Sequence, residues 1–296
     1  MTRCGLVAVL GAPNAGKSTL VNALVGQKVA IVSPKAQTTR ARLMGIAIEG
    51  DSQILLVDTP GIFTPNRRLD RAMVKAAWEG AEDADRVVLV VDAAAKTGGK
   101  VEQMIEGVEG RPEPRILVLN KVDIASKDDL LVLAARLSER LKPEAVFMVS
   151  ATSGDGVAEL KSHLAAAMPE GPWHFPEDQL TDVTDRMVAA ELTREQLYHQ
   201  LHAELPYASA VATEKWEDRK DGSAAIHQQI LVERDSQKAI VVGKGGARLK
   251  AIGQAARAEI AEHLGRKVHL FLHVKVSPRW GEDRELYEDI GLDWAD

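Results

Sequence analysis

The chain has 296 residues with a formal net charge of −6, 27% of them charged and 45% hydrophobic. This composition suits a globular protein of about two domains and excludes a wholly disordered chain. One cysteine, Cys4, excludes a disulfide scaffold, and there is no apolar run of about 18 residues for a membrane span or a long enough one for a signal peptide. A cytoplasmic location is expected. The net acidity argues against nucleic-acid binding over the whole surface but permits a local basic strip.

In chain order, strands are expected at Leu6–Leu10, Arg42–Glu49, Gln53–Asp58, Arg86–Asp92, Arg115–Asn120 and Ala145–Ser150. Several are continuous apolar runs, as in parallel strands covered on both faces. Helices are expected between them at Lys17–Val25, Leu69–Gly80, Lys100–Gly110, Asp128–Leu141 and Gly156–Met168. Glu49-Gly50-Asp51-Ser52 reads as a hairpin turn, so the α/β sheet should carry one antiparallel edge strand. Pro169, Gly171, Pro172 and Pro176 then interrupt the pattern. The division expected is a domain over 1–170, a linker over 171–181 and an α+β domain over 182–296. The second domain reads as helix Asp182–Glu204, strands Ala208–Lys215 and Ala224–Arg234, a short strand Ala239–Val242, helix Ala247–His263 and strand Val268–Val276.

Gly11-Ala12-Pro13-Asn14-Ala15-Gly16-Lys17-Ser18 fits the phosphate-loop pattern, set between an apolar strand and a helix. Such a loop turns backbone N–H groups toward phosphate oxygens, and the helix dipole adds to them. Lys17 is expected on the β- and γ-phosphates, Ser18 on Mg²⁺, and Gly11, Pro13, Asn14, Ala15, Gly16 and Thr19 around the nucleotide. Asp58, ending an apolar strand in Asp58-Thr59-Pro60-Gly61, is the expected acidic partner of Mg²⁺, and Gly61 lets backbone approach the γ-phosphate. Asp123 of Asn120-Lys121-Val122-Asp123 can accept two hydrogen bonds from guanine, which adenine cannot offer. Asn120 and Lys121 would brace that loop, and Ser150-Ala151-Thr152 would offer N–H groups to the guanine O6. Asp123 argues against a P-loop kinase or ATPase.

In the second domain Gly243-Lys244-Gly245-Gly246 is a GxxG loop ahead of a helix, the element with which KH domains clamp about four unpaired nucleotides. From Ser236 to Arg257 there are five cations, Lys238, Lys244, Arg248, Lys250 and Arg257, and no carboxylate. Lys244, Arg248 and Lys250 are expected to line the groove. A KH-like domain serving only protein contact is the competing reading. His269 and His273 alternate with Leu270, Leu272 and Val274 and read as one side of a half-exposed sheet, with RNA contact as the alternative.

The nucleotide motifs, in this order, resemble the Ras-like GTPase superfamily. With Lys35–Arg40, Asp58–Pro65, Glu204-Leu205-Pro206-Tyr207 and Val241–Arg257, nearly the whole chain is similar to its Era family: a GTPase domain followed by a type II KH domain. The resemblance implies that Thr39 of Gln37-Thr38-Thr39-Arg40 ligates Mg²⁺, and that Lys17, Thr39, Asp58 and Gly61 carry slow GTP hydrolysis. The water-positioning glutamine of Ras-type enzymes is absent, with Ile62 after Gly61. Asn14 resembles a potassium-binding asparagine of some relatives. Also implied are binding to the 3′ end of 16S rRNA, a role in assembling the small ribosomal subunit, a monomeric state and, in some members, peripheral association with the inner membrane. Phe63, Asp70 and Pro278 depart from the usual family pattern.

Overall fold

The computed structural model describes residues 1–35, 38–65, 67–82, 84–95, 99–109, 113–202, 205–289 and 292–294. Gln37 of the switch segment and Glu204 lie outside them. The first compact unit runs from Met1 to Asp182 and the second begins at Val183.

The first unit contains β1 (Arg3–Gly11), α1 (Lys17–Val25), β2 (Leu43–Glu49), β3 (Ser52–Asp58), α2 (Arg68–Glu82), β4 (Arg86–Asp92), α3 (Gly99–Val108), β5 (Arg115–Asn120), α4 (Lys127–Leu141), β6 (Ala145–Val149) and α5 (Val157–Ala167). The sheet order is β2-β3-β1-β4-β5-β6. Only β2 runs antiparallel, joined to β3 through a turn with Gly50 at φ 56. The continuous apolar runs are strands buried on both faces: Val7, Val9, Val88 and Val118 pack in one core layer, Ala8, Leu10, Leu89 and Leu117 in the other. Register sets Val9 beside Asp58 and Asp92 beside Asn120, so the motif-bearing strand ends share one edge of the sheet. In open α/β sheets that edge is where ligands bind.

The second unit contains α6 (Asp185–Gln200), β7 (Ser209–Asp218), β8 (Ala224–Val232), α7 (Asp235–Val242), α8 (Ala247–Leu264), β9 (Val268–Val276) and α9 (Arg284–Asp289). β8 pairs antiparallel with β7 and parallel with β9. Leu197, Val211, Ile230, Val241, Ile252 and Val274 form its core. The expected strand Ala239–Val242 is instead the end of helix α7. Gln237 Oε1 accepts the backbone N–H groups of Glu233 and Arg234 at 2.8 and 3.0 Å, nucleating a first turn, and a four-residue apolar run is too short to decide between strand and helix.

Residues 171–181, expected as a linker, are strapped along the first unit. Gln53, wholly buried in β3, accepts the N–H groups of His174 and Phe175 at 2.9 and 3.1 Å and donates to the Phe175 carbonyl at 2.9 Å. Trp173 Nε1 donates to the Asp51 carbonyl at 3.0 Å. Further on, Ile46 N donates to the Leu180 carbonyl at 2.8 Å and Met44 N to the Asp182 carboxylate at 3.1 Å, along the outer edge of β2. Leaving such groups unpaired costs about 1–3 kcal/mol. Gln53→Leu is therefore expected to lower stability to urea by that order and to open the strap to chymotrypsin after Trp173; unchanged cleavage would refute the role given to Gln53.

Candidate functional site

The phosphate loop joins β1 to α1 through Gly16, at φ 93, which leads straight into Lys17. A Cβ on Gly16 would lie 2.2 Å from Asn120 Nδ2, so only glycine lets the base loop close on it. Asn120 is the staple: its Nδ2 donates to the Ala15 carbonyl at 2.9 Å and its Oδ1 accepts Ala151 N–H at 3.0 Å. Lys121 Nζ donates to the Asn14 carbonyl at 2.8 Å and pairs with Asp92. Asp123 is exposed beside this frame.

Ser150 N–H donates to the Asp155 carbonyl at 2.9 Å, and Ala151 N–H is held by Asn120. The Ser150 and Ala151 N–H groups are thus taken up within the chain. Asn14, at φ 65, donates its amide to the Pro34 carbonyl at 3.0 Å, tying the phosphate loop to the segment ahead of Thr39.

Three oxygen-bearing side chains converge below the loop. Ser18 Oγ donates to Asp58 Oδ2 at 2.6 Å, Thr39 Oγ1 donates to the same oxygen at 3.3 Å, and the two hydroxyls are 2.8 Å apart. Asp58 is fully buried, and its Oδ1 has no hydrogen-bond partner. A carboxylate and two hydroxyls with one buried oxygen unsatisfied fit a hard cation that takes oxygen ligands, as Mg²⁺ does. Burial raises the Asp58 carboxyl above its usual range, opposed by the Lys17 charge and by hydrogen bonds from Ser18, Thr39 and Thr59. Burial likewise brings the Lys17 ammonium down to about 8, opposed by Asp58. Lys17 Nζ donates to the Gly11 and Ala12 carbonyls at 3.2 and 3.1 Å. Phosphate oxygens at this place would favour its charged form.

Pro13, Gly16, Thr19, Thr38, Thr39 and Gly61 line one cavity, together with Ile31, Val32 and Ser33, which sequence reasoning missed. Asn22 positions that last segment: its Oδ1 accepts the N–H groups of Val29 and Ala30 at 2.9 and 2.8 Å. The signal was an asparagine within α1, whose amide can hold the chain that follows the helix. Gly61 packs on Pro13, where a Cβ would lie 2.7 Å from the Pro13 nitrogen. Ile62 N–H donates to the Gly11 carbonyl at 3.1 Å and the Ile62 side chain is buried.

In the second unit Gly243 ends α7 at φ 72, and Gly245 and Gly246 continue at φ 60 and 80 into α8. Lys244 and Lys250 are exposed around this turn. Arg248 is exposed too, but its Nη1 donates to the Ile240 carbonyl at 2.9 Å, so it braces the end of α7. Gly246, Leu249, Lys250, Gly253, Gln254 and Arg257 line a groove of about 420 Å³ with Leu270 and Leu272 of β9. The groove wall thus includes Leu249, Gly253 and Gln254, absent from the expected set although their spacing of three and four marks one helix face.

The chain matches the family model for a 50S ribosome-binding GTPase over residues 6–121 and that for a KH domain over 204–281. It is 60% identical to GTPase Era of Erythrobacter litoralis, covering 100% of this chain and 98% of that protein. It is 58% identical to GTPase Era of Afipia carboxidovorans, covering 99% and 95%. Among solved structures, Aquifex aeolicus Era, as a single-residue variant bound to GDP and tetrafluoroaluminate, superposes with a TM-score of 0.92 at 36% identity, covering 98% of this chain and 99% of that one. Era bound to MgGDPNP and nucleotides 1506–1542 of 16S ribosomal RNA gives the same values.

Two outcomes follow for the nucleotide site. Lys17 is depressed in the folded chain relative to 10.5, so the unfolded chain binds more protons between pH 8 and 10.5 and folding stability rises with pH there, by at most about 3 kcal/mol. Lys17→Met should lack that rise in urea melts of nucleotide-free protein and lose GTP binding; an identical pH slope in both proteins would refute the buried ammonium. Asp123→Asn should move preference from GTP toward xanthosine triphosphate, measured by competition with a fluorescent nucleotide, and unaltered GTP preference would refute base reading by Asp123.

Proposed function

We propose that this chain, which belongs to the Era family of GTPases, is a nucleotide-controlled switch that binds the 3′ end of 16S rRNA through its KH domain during small-subunit assembly in the cytoplasm. It is a GTP-hydrolysing P-loop protein. The observation that carries the switch is the Ser18–Thr39–Asp58 cluster, with its buried unpaired carboxylate oxygen. Ser18, Thr39 and Asp58 would hold Mg²⁺, which supplies charge neutralisation at the phosphates. Thr39 lies on the loop between α1 and β2, so its engagement with a Mg²⁺–GTP complex would order that loop and hydrolysis would release it. Asn14, with its amide nitrogen donating to Pro34, keeps a side-chain oxygen for K⁺. No side chain at Ile62 orients water, in keeping with slow hydrolysis.

The strap supports a route from this switch to the second unit. β2 begins at Leu43, four residues after Thr39, and its Met44 and Ile46 carry the hydrogen bonds to 180–182. α6 starts at Asp185. A shift of the Thr39 loop therefore bears on the strand that holds the chain just before α6.

The reading is tested by fluorescence anisotropy with a single-stranded RNA copying the 16S 3′ end, against a scrambled RNA, with a non-hydrolysable GTP analogue and with GDP. Tighter, sequence-selective binding in the GTP state is expected. Gly246→Asp should abolish it at a backbone strain of about 1–2 kcal/mol, which the fold can carry, because a Cβ there meets nothing within 4 Å and aspartate is among the residues least averse to positive φ. Nucleotide binding without RNA binding in either state would overturn the reading in favour of a KH domain that contacts protein.

A further inference from the structure

We propose that the outer face of the second unit's sheet, at the β9 edge around Phe271, is a base-stacking site for unpaired RNA that leaves the GxxG groove. The proposal rests on the groove binding RNA, as argued above.

Phe271 is 47% exposed, unusual for a large apolar side chain in a well-formed sheet. It sits directly across from His227 of β8, and the two rings are stacked with centroids 4.6 Å apart and planes within 16°. Neighbouring strands lie about 4.8 Å apart. The ring separation equals the strand separation, so the stack is built along the direction that crosses the strands, from His227 out to Phe271. β9 is the last strand of the sheet: among the described residues nothing pairs with its outer edge. The next place in the stack therefore falls just beyond β9, on the open ring face of Phe271.

That place adjoins the groove. Side chains alternate along a strand, and Leu270 and Leu272, either side of Phe271, line the groove on the opposite side of β9. A single strand leaving the groove has only to round one strand edge to reach the ring. A planar nucleobase is the occupant that an open aromatic face on such a path fits, as on other sheets that bind unpaired nucleic acid. The polar surroundings agree. From Val268 to Val276 the strand bears His269, His273 and Lys275 and no carboxylate. The acidic groups of this face are on β7, where Glu214 holds Gln229 and lies 3.7 Å from His273, and Glu217 is paired with Lys215.

The test uses the full chain with the GTP analogue and two RNAs sharing the groove-binding segment, one of five nucleotides and one extended to twelve. Stacking of one base is worth about fivefold to a hundredfold in affinity on alanine substitution. Phe271→Ala should lose that much on the longer RNA and nothing on the shorter, and Phe271→Tyr should keep both affinities. Phe271→Trp should show fluorescence quenching by the longer RNA alone. Gly246→Asp should lose both RNAs. Unchanged binding of the longer RNA by Phe271→Ala would overturn the proposal and leave this face to a protein partner. Equal losses on both RNAs would also overturn it, because the effect would then be on the groove. Failure of the unaltered chain to bind either RNA would instead bring down the functional reading beneath it.

Discussion

A fully buried carboxylate with one oxygen unsatisfied is the constraint around which the first unit is organised. Removing such a charge from water costs several kcal/mol unless its surroundings replace the lost hydration. At Asp58 they do so only in part. Ser18 and Thr39 donate to one oxygen, Lys17 supplies charge nearby, and the other oxygen is left over. Lys17 bears the reciprocal cost and is brought down to about 8. A divalent cation held by Ser18, Thr39 and Asp58, with phosphate oxygens beside it, would relieve both groups together. Nucleotide binding and ordering of the Thr39 loop are on this account one event, because the same atoms are satisfied by it.

β3 carries a second buried polar group, Gln53, five residues before Asp58. The two face different tasks on one strand whose every residue is buried. Asp58 meets the nucleotide loop at one end; Gln53 clasps the strap near the other. β2 runs alongside in antiparallel register, with Leu43 beside Asp58. A displacement of the Thr39 loop therefore enters a strand already hydrogen-bonded to the chain segment that precedes α6. Coupling of this kind needs an element with two discrete arrangements, and an edge pairing of a few hydrogen bonds is of the right strength to be one.

The phosphate loop, Asp58, Asn120–Asp123 and the GxxG turn were legible because each demand is local. A left-handed turn asks for glycine, a tight approach asks for no Cβ, and a strand end asks for an acid at a fixed place. The central strands β1, β3, β4 and β5 were legible for a similar reason, since burial on both faces leaves them mostly apolar, whereas β6 at the sheet edge exposes Val146 and Met148. What escaped was non-local. Pro and Gly between 169 and 176 read as a loose linker, yet its backbone is satisfied by Gln53 and β2, more than a hundred residues earlier. Ala239–Val242 could be assigned only through the cap formed by Gln237. Arg248 stands out by its charge, and only the geometry shows that one of its N–H groups also braces the Ile240 carbonyl.

The acidity of the chain shapes how it can hold RNA. Beside Arg248, one of whose N–H groups is held by the Ile240 carbonyl, the cations around the GxxG turn and groove are Lys244, Lys250 and Arg257. Three or four phosphate contacts to a single strand would give a salt slope of only about −2 to −3, so electrostatics alone would provide modest affinity. The remainder has to come from shape and from contact with the bases themselves. Leu249, Leu270 and Leu272 of the groove would supply this, and β9 exposes the Phe271 ring on its other side. Binding built mainly from such neutral contacts depends on the conformation of the RNA more than on its charge. On the proposed function, such a balance would favour an unpaired tail over duplex RNA, since a paired strand offers its phosphates freely and its base faces not at all.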